Sequence, residues 1–176
     1  LYKNSDGRYT VLCDTYDTLT EQPLPTNYRV SLKQLVKNKP KIDYTVKQDY
    51  IVLGSLKVQN NDFYCGVESY GKDISEEFIK QCLDLDITVD EIHSDDYFGK
   101  WSYRLIGNDV MTLADDLWIS RYVLYNICSV RKEKLSFDST KLSVYGVSLK
   151  SNINTKEKSL TFNSHDNPYK MFFDMV

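Results

Sequence analysis

Short alternations of apolar and polar positions run through most of this chain, and few windows keep a helical period. Residues i and i+2 of a strand face the same side of a sheet, so these alternations predict strands. They cover 9–13, 28–33, 43–46 running on into 49–53, 63–70, 87–92, 101–104, 109–113, 116–120 and 122–130. Two further strands, 142–149 and 159–162, flank a polar link over 150–158. The run at 49–53 is the clearest buried strand of the N-terminal half. Trp101 and Tyr103 share one face of their strand, as a core wall or a recognition surface.

Two windows change period. Asp73 with Glu76 three residues later resembles a capping box, and Phe78, Ile79, Cys82 and Leu83 follow at helical spacing, which predicts a short helix. Asn167 before Pro168 predicts a final helix with Tyr169, Phe172, Phe173 and Val176 on its apolar face. The expected fold is therefore mainly β with a minor helical part, a twisted, partly open β-barrel with short peripheral helices. Its expected organisation over 1–176 is a single domain: an N-terminal arm (1–41), a core (42–135) carrying an acidic helical insertion (73–99), and C-terminal strands with a helix (136–176).

Composition supports the β reading. Tyr is frequent at 14, against 7 Gly and 4 Pro in 176 residues, and Tyr, Val, Ile and Thr favour pleated surfaces. Apolar runs are too short to span a bilayer, so no membrane partner is expected. Cys13, Cys65, Cys82 and Cys128 are scattered without a paired spacing, so neither zinc nor a disulfide framework is expected, and no cofactor is inferred. A pI near 5.4 argues against a general phosphate-binding surface. The basic turn 37–41 could touch a DNA backbone only locally. Between Asp62 and Gly99, Lys72 and Lys80 stand alone among dense carboxylates. That block would attract a basic partner, with Asp84, Asp86, Asp95 and Asp96 as the candidate contacts, or be a solvated surface.

Catalytic signals are few. Phosphate-cradling glycine loops are absent, and Asp84, Asp86, Asp95 and Asp96 lack the spacing of a calcium loop. His93 and His165 are the only histidines, and His93 is the best catalytic candidate for an enzyme of unknown reaction. Tyr64, Trp101 and Tyr103 could form an aromatic cage for methylated lysine, although core packing is the commoner fate of such rings.

The order of the segments at 49–53, 63–70, 109–113, 116–120 and 125–130 resembles a bromo-adjacent homology (BAH) domain, and most closely its yeast silencing and origin-recognition members. Trp118 stands where many members have Phe, and Leu105 replaces a Pro. The resemblance implies a non-enzymatic nuclear module of chromatin. It would bind nucleosomes through a histone tail, or a silencing protein through the 73–99 insertion.

Overall fold

The computed structural model describes residues 1–3, 7–37, 43–53, 69–94, 99–137, 148–153, 158–163 and 167–175. The chain is α+β. A two-stranded ribbon pairs β1 (Tyr2–Lys3) with β2 (Tyr9–Thr10). The main sheet has six strands, all antiparallel to their neighbours. These are β3 (Tyr44–Leu53), β4 (Val89–Ser94), β5 (Lys100–Gly107), β6 (Lys134–Ser136), β7 (Ser148–Ile153) and β8 (Lys158–Asn163). Their order is β4-β5-β3-β7-β8, and β6 pairs with the C-terminal end of β3 beside β7. The sheet does not close into a barrel. Four helices, α1 (Tyr28–Val36), α2 (Lys72–Asp84), α3 (Val110–Val130) and α4 (Pro168–Met175), complete the described fold.

The largest departure from expectation lies at α3. Residues 109–113, 116–120 and 122–130, read above as strands, form one helix of 21 residues. Val110, Leu113, Ala114, Leu117, Ser120, Arg121, Leu124, Ile127 and Cys128 are buried at three-and-four spacing over five turns, and Ile119 and Val123 widen the buried face. Divided into five-residue pieces, that stripe mimics alternation. Asp109 begins the helix, its Oδ1 accepting the Thr112 N–H at 2.9 Å. The 28–33 segment is likewise helical, as part of α1. Asn27 Oδ1 accepts the Val30 N–H at 3.3 Å, and Leu32 is fully buried. The expected partly open, β-rich sheet is compatible with this α+β fold, but α3 is a long helix packed into the core and not a short peripheral one.

Helix α2 starts slightly earlier than expected. Gly71, in the left-handed region at φ +85°, precedes it, and Asp73 pairs with Arg131 and does not cap. The 73–99 segment is built into the main sheet, because its second half is β4. The predicted strand 63–70 falls mostly outside the described residues, as does most of the turn 37–41.

The core lies between the sheet and α2–α3. Alternation along β3 and β5 sends Val46, Tyr50, Val52, Trp101, Tyr103 and Leu105 to the helical side. Tyr50 shares its hydroxyl with Ser75 of α2 at 2.8 Å, and Tyr103 with Ser120 of α3 at 2.8 Å. Phe78 of α2 packs on the Tyr103 ring at 4.8 Å between centroids. Gln48 is also on this face, fully buried, and it accepts two hydrogen bonds from the Arg121 guanidinium at 2.8 and 2.6 Å. These bonds satisfy a buried polar group that would otherwise be costly.

Candidate functional site

Where β3, β4 and β5 pair near His93, the positions turned away from α2 and α3 are polar, and strand register explains why. If Tyr50, Trp101 and Tyr103 face the helices, then Lys47, Asp49, Ser102 and Arg104 face the other way. Pairing aligns them in two rows across three strands. Asp49, Ser102 and His93 form one row, and Lys47, Arg104 and Glu91 the next.

His93 is the centre of this arrangement. Its Nε2 lies 2.8 Å from Ser102 Oγ and 3.3 Å from Lys47 Nζ. Its Nδ1 lies 3.0 Å from Glu91 Oε1. A lysine ammonium only donates, so Nε2 is the acceptor and the ring proton sits on Nδ1, directed at Glu91. Ser102 is buried in the sheet. The His93 and Glu91 side chains keep 43% and 40% of their surface, so the cluster reaches solvent at β4.

Arg104 supports the cluster from the second row. Its Nη1 pairs with Glu91 Oε2 at 2.8 Å and its Nε donates to Asp90 Oδ2 at 2.7 Å. The register shifts between Val89 and Glu91, a bulge that leaves Asp90 without a partner across the ladder. Both carboxylates can then reach one guanidinium. Held from one side by Arg104, Glu91 is free to present its other oxygen to His93.

Of the residues singled out from sequence, His93 lies in this cluster. Trp101 and Tyr103 are 8% and 1% exposed and belong to the core. The Trp101 indole N–H donates to the Tyr70 carbonyl at 2.7 Å, so the ring is a wall and not one side of an open cage. Asp84 is exposed at the end of α2, on a cleft of about 580 Å³ between β2, α2 and α3. Asp86 follows it at φ +60° and is exposed. Tyr64, Asp95, Asp96 and Cys65 lie outside the described residues. Among the described residues, no three His, Cys, Asp or Glu side chains converge into a group that could hold a metal ion, and no helix is long and apolar enough to cross a membrane. Cys82 and Cys128 are buried free thiols, and burial pushes the Cys128 thiol up to about 11. Lys47, Glu91, Ser102 and Arg104 were missed from sequence. Their signal was the polar half of three alternating segments, which has no meaning until the strands are paired.

A second polar cluster ties the N-terminal arm to the helices. Arg29 of α1 binds Asp115 of α3 through Nε and Nη2, at 3.0 and 2.8 Å, and Asp14 of the arm through Nη1 at 3.1 Å. Tyr169 of α4 donates to Asp115 Oδ1 at 2.7 Å, and Tyr2 of β1 donates to Asp116 Oδ1 at 2.7 Å. Burial, and secondarily the neighbouring Asp115 charge, hold the Asp116 carboxyl up at about 6 despite the Tyr2 hydrogen bond. This cluster connects elements and leaves few polar atoms for a ligand.

No family model matches the chain. Curated relatives do. It is 28% identical over 147 residues to glutamine synthetase N-1 of Phaseolus vulgaris, an alignment covering 73% of this chain and 41% of the relative. Against the glutamine synthetase cytosolic isozyme 1-1 of Arabidopsis thaliana the identity is 27% over 148 residues, with the same coverage. Against the glutamine synthetase cytosolic isozyme of Chlamydomonas reinhardtii it is 23% over 154 residues, covering 73% and 40%. The chain thus spans about 41% of the length of the curated relatives it matches.

These relatives overturn the BAH resemblance, and with it the readings of nucleosome and histone binding, silencing and origin recognition. The expectation of a non-enzymatic module falls too, because the relatives are named as enzymes. The physical source of the error is visible in the fold. Three of the five segments that carried the resemblance as strands are turns of the single helix α3, and short degenerate patterns cannot distinguish the two. What the chain is similar to, over 73% of its length, is glutamine synthetase.

Proposed function

We propose that this chain is part of an enzyme of the glutamine synthetase kind, and that the polar sheet face around His93 handles glutamine or its parent amino acid. The similarity to plant and algal enzymes named for making glutamine carries the reading. The chemistry of the face is compatible with it. An amino acid presents a carboxylate, an ammonium and here a side-chain amide. Lys47 offers a cation to the side-chain amide oxygen, and the Ser102–His93 pair stands beside it as donor and acceptor.

Calorimetric titration of the protein with glutamine and with glutamate tests this. Saturable binding of either, weakened at least tenfold in Lys47→Ala, is the expected result. A folded protein that binds neither counts against the reading. Interconversion of ammonia and glutamine by the protein is the accompanying activity measurement.

A further inference from the structure

We propose that Glu91, His93 and Ser102 form a nucleophilic relay, in which Ser102 takes the acyl group of a carboxamide substrate. The substrate class rests on the glutamine reading above, while the relay itself rests on the geometry alone. A hydroxyl bonded to a histidine commonly does no more than satisfy a buried polar group. Here the second ring nitrogen is also held, by a carboxylate 3.0 Å away, and the hydroxyl is 2.8 Å from the opposite nitrogen. Nucleophile, base and orienting acid therefore stand in the order that nucleophilic catalysis requires, and this constellation is defined by geometry and not by chain order.

The surrounding groups fit the roles. Glu91 fixes the tautomer that leaves Nε2 able to accept the Ser102 proton, and Arg104 fixes Glu91 at 2.8 Å. Lys47 Nζ lies 3.3 Å from the same Nε2; when Nε2 takes the Ser102 proton the ammonium is repelled from the ring and pairs with the developing oxyanion. Each group comes from β3, β4 or β5, so the relay is carried by paired strands and not by a loop.

The steps balance without a co-reactant other than water. Ser102 Oγ attacks the amide carbonyl carbon while its proton passes to His93 Nε2. The C–N bond breaks, Nε2 returns that proton to the leaving nitrogen, and ammonia departs, leaving an ester on Ser102. Water then gives a proton to Nε2 and attacks the ester carbonyl. The ester C–O bond breaks, the proton goes back to Oγ, and the acid is released. With glutamine as substrate, the products are glutamate and ammonia.

A fluorophosphonate probe, which reports activated serine hydroxyls, tests the relay on the protein as it stands, with peptide mass spectrometry to locate the adduct. We expect the adduct on Ser102, a labelling rate at least tenfold lower in His93→Ala, a smaller loss in Glu91→Gln, and protection by millimolar glutamine. Circular dichroism confirms the fold of each variant, and both substituted side chains are substantially exposed. An unlabelled Ser102 in the folded protein overturns the relay, as does an unchanged rate in His93→Ala. If glutamine binds while Ser102 stays unlabelled, the relay fails and the glutamine reading stands. If Ser102 is labelled but glutamine neither binds nor protects, the relay stands and that reading fails.

Discussion

Asp116 gives α3 a residue whose charge state depends on mild acid. Its carboxyl is held up at about 6, chiefly by burial, above the 3.8 of an unstrained aspartate. A carboxyl with a raised folded-state pKa binds its proton more tightly folded than unfolded, so its contribution to stability grows as pH falls through 6 and levels off below about 4. Asp116→Asn removes that contribution. Melting temperatures of the two proteins should therefore converge between pH 7 and pH 5, with Asp116→Asn the more stable at pH 7. A difference independent of pH would contradict this. A second residue-scale constraint is Gly99, at φ +71°. A Cβ there would lie 2.3 Å from the Val52 carbonyl oxygen, which belongs to backbone and cannot swing aside. The Gly99 carbonyl also accepts the Val52 N–H at 2.8 Å. Gly99→Ala should cost about 2 kcal/mol or more in denaturant unfolding, from left-handed strain and displaced pairing.

At the scale of elements, α3 shows how far local pattern reaches. Its cap, Asp109, and its helical stripe are both present in the sequence, yet the segment reads as strands because Val, Ile, Tyr and Trp are interspersed along it, Trp118, Tyr122 and Tyr125 on its exposed side. Such residues favour strands when exposed or half-buried, and tertiary packing overrides the preference when a long stripe can be buried at once. Asp109→Ala should lower stability by about 1 kcal/mol, because the Thr112 N–H loses its acceptor. Thermal unfolding should record a fall of about 3 °C, whereas no change would assign the start of α3 to packing alone. The segments β3, β5 and α4 were legible because each combined a strong period with an unambiguous boundary. Asn167 Oδ1 accepts the Tyr169 N–H at 2.9 Å, as the Asn-Pro start of α4 implied.

At the scale of the molecule, the Arg29 cluster joins the N-terminal arm, α1, α3 and α4 through side chains far apart in sequence. Arg29 keeps about a quarter of its side-chain surface, so its ion pairs are partly screened. Arg29→Ala leaves Asp115 with only the Tyr169 hydroxyl and should cost about 1–2 kcal/mol. Proteolysis should cut the arm of this variant faster than that of the parent, and equal cleavage would show that the ribbon is held by other contacts. Binding has a global readout too. A ligand seated on the His93 face should raise the melting temperature in the parent and less so in Lys47→Ala.

By itself, the sequence determined the local conformations whose signals are local: a buried alternation at β3, a Trp–Tyr face at β5 and the Asn-Pro start of α4. It did not determine α3, where residue preference and helical period disagree and only long-range burial decides between them. Nor did it determine the site. Lys47, Glu91, Ser102 and Arg104 are ordinary polar residues of three separate strands until antiparallel register places them in adjacent rows. Register is a property of paired strands, set by matching buried faces across tens of residues. The His93 cluster is therefore a product of the tertiary structure, although every residue in it occupies the polar half of an alternation that one strand alone can show.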